Sequence, residues 1–146
     1  MPLIDYSFLS KILPKAKIKK EFRQAKKSYL NRVRLATSLF FFGMGFCFAT
    51  WASRIPDIKS MLQLSEAGLG TLLFALPIGQ LTGMSFSGRI VSKHGSRKIM
   101  FIALPLYAFC LTLLGLADVK WQLAVGLFLF GFCGNFCNIA VNTQGV

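Results

Sequence analysis

Acidic side chains are scarce in this sequence: five Asp and Glu stand against 17 Lys and Arg in 146 residues. All five (Asp5, Glu21, Asp57, Glu66 and Asp118) lie outside the long apolar runs. Those runs therefore hold no carboxylate that could carry a proton through a membrane. A glycine-rich phosphate loop ending in Lys and Ser or Thr is also missing, which excludes an ATP-driven machine within this chain. The single histidine, His94, has no acid and nucleophile arranged around it, so neither an enzyme nor a cofactor is expected. The four cysteines (Cys47, Cys110, Cys133 and Cys137) all fall inside apolar runs, where thiols serve as small packing groups rather than a disulfide framework. Cys133 and Cys137 are spaced to share a helix face, but zinc wants four ligands and no histidine lies near them, so no metal site is expected.

What is present is apolar. Hydrophobic residues make up 54% of the chain, with 15 Phe and 13 Gly, and the mean hydropathy is +0.57. Charged residues are 15%, against about 25% in soluble domains. This balance points to lipid as the solvent. Four apolar segments, residues 33–51, 67–88, 99–117 and 121–146, each have close to the ~20 residues that cross a bilayer core as a helix. The fold class expected is an all-α membrane protein with four transmembrane helices. The first segment is not a signal peptide, because it lies behind some 32 residues and no A-x-A site follows it.

Ten of the Lys and Arg run up to Arg34, four more (Arg89, Lys93, Arg97 and Lys98) sit between the second and third segments, and three (Arg54, Lys59 and Lys120) occupy the other loops. The positive-inside rule then places the amino terminus and the second loop in the cytoplasm, with the chain a multi-pass protein of the cell inner membrane. The net charge of +12 is thereby assigned to the lipid bilayer, and no nucleic-acid partner is called for. Residues 1–32 form a basic amphipathic segment, with Ile18, Phe22, Ala25 and Tyr29 at helical spacing among the cations. Such a segment either lies on anionic lipid or simply fixes topology.

The second loop reads Gly88-Arg-Ile-Val-Ser92-Lys93-His94-Gly95-Ser96-Arg97-Lys98. Gly95 permits a tight reversal between two helices, and the cations suit helix ends and lipid headgroups. The run resembles the cytoplasmic loop signature of the major facilitator superfamily. Gly88, Lys93, Gly95, Arg97 and Lys98 match that signature, whereas Ser92 stands where the family carries an acid. A second stretch, Ala49-Thr-Trp-Ala-Ser-Arg-Ile-Pro-Asp-Ile-Lys59 with Leu64 to Gly70, is similar to bacterial inner-membrane members related to sugar (fucose-type) permeases. The resemblance covers about residues 33–146 and implies the first four helices of a twelve-helix fold, with helices one and four lining a central cavity. It also implies that the loop acts as a cytoplasmic gate lock, which Ser92 in place of the acid puts in question. Leu39-Phe-Phe-Phe-Gly43 and Leu127-Phe-Leu-Phe-Gly131 are alike, as equivalent helices of an inverted repeat are expected to be.

Asn135, Asn138 and Asn142 fall within an arc of about 60° on the last helix. Amides do not face hydrocarbon without a cost, so this side is wet or paired. Asn135, Asn138 and Asn142, with Thr50 and Trp51 of the first helix, are the candidate lining of a route for a polar, hydroxyl-bearing solute; interhelical hydrogen bonding is the other reading. Arg54 and Asp57 are spaced as an outer helix-end pair, and Ser65 with Glu66 as a cap for the second helix. Gly79, Gly83, Ser87 and Gly88 supply small residues for close helix contact, and Pro77 and Pro105 are expected to kink their helices. The last helix ends in uncharged Asn142-Thr-Gln-Gly-Val146 without a basic flank, which reads as part of a longer chain. The function expected is transport of a small solute, sugar-like or drug-like, by alternating access. Its partner would be the missing carboxy-terminal half or a second copy. The alternative is a small oligomeric membrane protein, either a four-helix exporter or a non-transporting subunit. The exporter class needs an acid in its first helix, which is absent here.

Overall fold

The computed structural model describes residues 15–144, the side chains at positions 15, 16, 18 and 144 excepted. The first 14 residues of the basic segment, the side chain of Ile18 and the last two residues of the fourth apolar segment lie outside it. The described residues form six helices: α1 (Lys15–Ser53), α2 (Ile55–Met61), α3 (Glu66–Leu73), α4 (Ala75–His94), α5 (Ser96–Gly115) and α6 (Lys120–Gln144). No strand occurs among them. Grouped by span, four stretches are long and apolar enough to cross a membrane, namely Lys19–Met61, Glu66–His94, Ser96–Gly115 and Lys120–Thr143.

Two compact units divide at Ala36 and Thr37. The first contains the amino-terminal part of α1. Phe22, Tyr29 and Leu30 are exposed there, as are the cations from Lys17 to Arg34. No proline interrupts the sequence between Pro14 and Pro56, and α1 runs 39 residues, nearly twice what a bilayer crossing needs (~20 residues).

In the second unit, local chemistry sets the breaks. Pro56 in the first turn of α2 has no N–H to offer the preceding turn, so α1 stops and Arg54 closes back on the Trp51 carbonyl at 3.0 Å. Pro77 does the same to the second span, which is split at Phe74 into α3 and α4. Pro105, by contrast, lies inside an unbroken α5. Ser65 caps α3 by accepting the Gly68 N–H at 3.1 Å. Gly95 is the sole residue between α4 and α5, and its φ of 85° lies in the region that glycine occupies without strain.

The helix α6 is the hub and packs against both α4 and α5. Its seam with α4 is a backbone-to-backbone contact. A methyl group on Gly79 would overlap the Phe128 carbonyl, and one on Gly131 would overlap the Leu76 carbonyl. One turn on, a methyl on Gly83 would lie 3.0 Å from the Phe132 oxygen. Glycine at 79, 83 and 131 thus lets the two helices meet at a distance that suits dispersion contacts and Cα–H···O contacts, the means of helix association where hydrocarbon removes the hydrophobic driving force. The seam with α5 uses rings and thiols. Tyr107 stacks on Phe130 with centroids 4.1 Å apart, and Gly134 opens room for the Tyr107 ring. Leu123, Leu127, Phe130, Cys137 and Val141 of α6 are fully buried. The carboxy-terminal half of α1 joins through side chains: Phe40 meets Phe101 edge-on at 5.8 Å, and Trp51 lies 6.5 Å from Phe130.

Candidate functional site

The three asparagines of α6 share a side but not an environment. Asn135 is half-buried, and its Oδ1 accepts a hydrogen bond of 2.8 Å from Ser87 Oγ of α4. Ser87 is completely buried, so this bond ties α4 to α6 directly beyond the glycine seam. Asn138 and Asn142 are exposed, and Asn142 Nδ2 donates to Asn138 Oδ1 at 3.1 Å. Beside them runs a ladder of rings at the i, i+4 spacing. Phe128 stacks on Phe132 at 6.4 Å, and Phe132 tilts against Phe136 at 5.1 Å. This side of α6 therefore sets a column of amides next to a column of aromatic faces. The sequence signal for the ladder is Phe at 128, 132 and 136, and its adjacency to the amides emerges when these three and the three asparagines are laid on one helix.

Thr50 and Trp51 diverge. The Thr50 hydroxyl donates to the Phe46 carbonyl at 2.8 Å, within its own helix. Trp51 is buried against Ile58, Leu64 and Phe130, and its indole Nε1 is enclosed without a hydrogen-bond partner among the described residues. Arg54 and Asp57 form no ion pair among the described residues. The guanidinium of Arg54 instead lies over Gly115, 3.3 Å from where a Cβ would stand, at the carboxy-terminal end of α5. A cation there meets the negative end of the helix dipole, a favourable placement worth about 0.3–1 kcal/mol. The ion pair at this end of the molecule is Lys59 with Glu66, which bridges α2 to the first turn of α3. Spacing of i, i+3 drew attention to Arg54 and Asp57, whereas the pair that forms spans a turn.

In the second loop, Gly88 has open space around it, and Ser92 Oγ donates to the Arg89 carbonyl at 2.9 Å. Lys93 and His94 occupy the last turn of α4, where positive charge is favoured. Arg97 and Lys98 sit in the opening turn of α5, which contains no acid, so two cations face the positive end of that helix. Ser92, bonded to its own helix, supplies no counter-charge.

Four apolar spans of helix, glycine-mediated seams, exposed large apolar side chains on every long helix, and amides gathered on one side define a multi-pass membrane protein. Residues 4–145 match the Major Facilitator Superfamily, and the chain belongs to that family. It is 32% identical over 113 residues to an uncharacterized MFS-type transporter of Yersinia pestis, a match covering 77% of this chain and 29% of that protein. It is also 35% identical over 100 residues to an uncharacterized transporter of Sinorhizobium fredii, covering 68% of this chain and 26% of that protein. The matched stretch is thus under a third of the length of these relatives. No solved structure matches the chain.

Proposed function

We propose that this chain forms one wall of a solute path in a transporter that works by alternating access, and that Asn138 and Asn142 of α6 face the path. The observation that carries this reading is the pair of exposed amides within the Lys120–Thr143 span, bonded to each other and set beside the Phe128–Phe132–Phe136 ladder. Amides facing hydrocarbon are costly, while amides next to aromatic faces suit a small solute with hydroxyl groups on an otherwise apolar ring. Asn135 belongs to the same stripe, but its bond to Ser87 gives it the role of fastening α6 to α4. Thr50 and Trp51 stand at the end of α1 as further lining. Gly88, Ser92, Lys93, Gly95, Arg97 and Lys98 form the gate loop on the cytoplasmic side, and Arg54 with Asp57 marks the outer helix end. The protein sits in the inner membrane with its amino terminus in the cytoplasm. The opposite wall comes from the carboxy-terminal half of a longer transporter or from a second copy.

The test is labelling by a membrane-impermeant, water-soluble methanethiosulfonate in native membranes. Asn138→Cys and Asn142→Cys react quickly if they line a water-filled path. Leu106→Cys, on an exposed apolar side of α5, serves as the lipid-facing standard. Equally slow reaction at all three positions would remove Asn138 and Asn142 from the path.

A further inference from the structure

Between α5 and α6, Cys110 and Cys133 bring their sulfurs to 3.8 Å. Both are buried, at 3% and 5% exposure, and both are free thiols. No requirement of the transport reading places two sulfurs face to face there. Tyr107 and Phe130 stack one turn away, and together with Gly134 they hold the two helices close enough for the thiols to touch. We propose that Cys110 and Cys133 form a redox-modification site, a dithiol that a membrane-permeant two-electron acceptor of the diazene class closes to a disulfide joining α5 to α6.

The geometry selects this pair over the other cysteines. A disulfide needs its sulfurs at roughly 2.05 Å and its Cβ atoms at about 3.8 Å. The sulfurs must close by about 1.8 Å for the bond to form. Cys133 and Cys137 share one helix at i, i+4, where Cβ atoms are held about 5–6 Å apart, too wide for a bond. Cys47 and Cys137 make no thiol contact among the described residues. No group of three or more His, Cys, Asp or Glu is placed to hold a metal among those residues, so the chemistry open to the pair is that of a dithiol.

The step balances as follows. One sulfur adds to a nitrogen of the N=N bond, and the other nitrogen takes up a proton. The second sulfur then attacks the first, the S–S bond forms, the S–N bond breaks, and the hydrazine leaves with the second proton. Two electrons pass from the thiols to the diazene. Because the pair is enclosed by apolar side chains, only an oxidant that enters the membrane reaches it. The bond would fix the rotation of α6 and so the direction in which Asn138 and Asn142 point.

The experiment treats membranes containing the full chain with diamide, denatures them, and counts free thiols by gel shift with a maleimide-linked polyethylene glycol. Reduced protein takes four adducts. The expected result after diamide is a loss of two, a Cys110–Cys133 linked peptide in non-reducing mass spectrometry, and return to four adducts with dithiothreitol. Cys110→Ser and Cys133→Ser should each keep all three remaining thiols through the treatment. The Cys47→Ser, Cys137→Ser double variant should still lose its remaining two. Four adducts after diamide, a linkage through Cys47 or Cys137, or bonds only between separate chains would overturn the proposal.

Discussion

Two stretches along one side of the same helix, α6, solve opposite problems. Around Gly131 it approaches α4 so closely that Gly79 and Gly131 leave no room for a methyl group, and the polar contact beyond, Ser87 with Asn135, is a hydrogen bond of 2.8 Å. Further along the same side it carries Asn138 and Asn142, exposed and, among the described residues, bonded to each other, beside three Phe rings. In lipid, where helices gain little from hiding apolar surface, the first stretch obtains adhesion by removing side chains. The second keeps polar groups where adhesion would not require them, and that contrast separates structure from proposed function along one helix.

The largest effect expected from testing this contrast is at the seam. Gly79→Ala forces two backbones apart and should destabilise the bundle by about 3 kcal/mol, the upper part of the overpacking range. Gly88→Ala, which meets open space, should be nearly silent. Thermal unfolding of both variants in detergent checks this, and equal melting temperatures would erase the distinction between seam and surface. A smaller loss belongs to Ser87→Ala, which leaves the Asn135 amide without its partner across the seam. Interhelical hydrogen bonds in membranes average about 0.6 kcal/mol and reach 1.7, and the same melts should show a drop within that range. The smallest change in stability is expected for Asn142→Ala on the open stretch, within about 0.5 kcal/mol, as for surface substitutions. If Asn142→Ala melts as far below the parent as Gly79→Ala, the open stretch is structural and the path reading loses its support.

Much of this was legible in the residues. Four apolar runs announced four spans, because hydrocarbon thickness leaves few alternatives to a helix of about 20 residues. Gly95 was recognisable as a tight reversal, and Ser65 as a cap, because both act through their own backbone neighbourhood. Gly79 and Gly83 were recognisable as a contact surface, but Gly131 as its counterpart on α6 was not, since pairing depends on which helix lies opposite. Distance likewise hid the bond of Ser87 to Asn135, 48 residues apart, and the pairing of Lys59 with Glu66 instead of Arg54 with Asp57. The continuity of α1 from the basic segment into the span was obscured by the change from cations to Phe and Gly, which alters what surrounds a helix without breaking it.

The sequence by itself determined the solvent, the number of spans, the tight reversal at Gly95, and the side of α6 on which the amides lie. Each of these follows from hydropathy, glycine or the 3.6-residue repeat, all of which act within a few residues of chain. Only the tertiary structure decided which of the three asparagines is committed to α4 and which two remain open, that Trp51 is enclosed, and that Cys110 meets Cys133. Those outcomes depend on how closely α4 and α5 approach α6, and that approach is set jointly by residues far apart in the chain, with Gly79 and Gly131 on one seam and Gly134 with Tyr107 on the other.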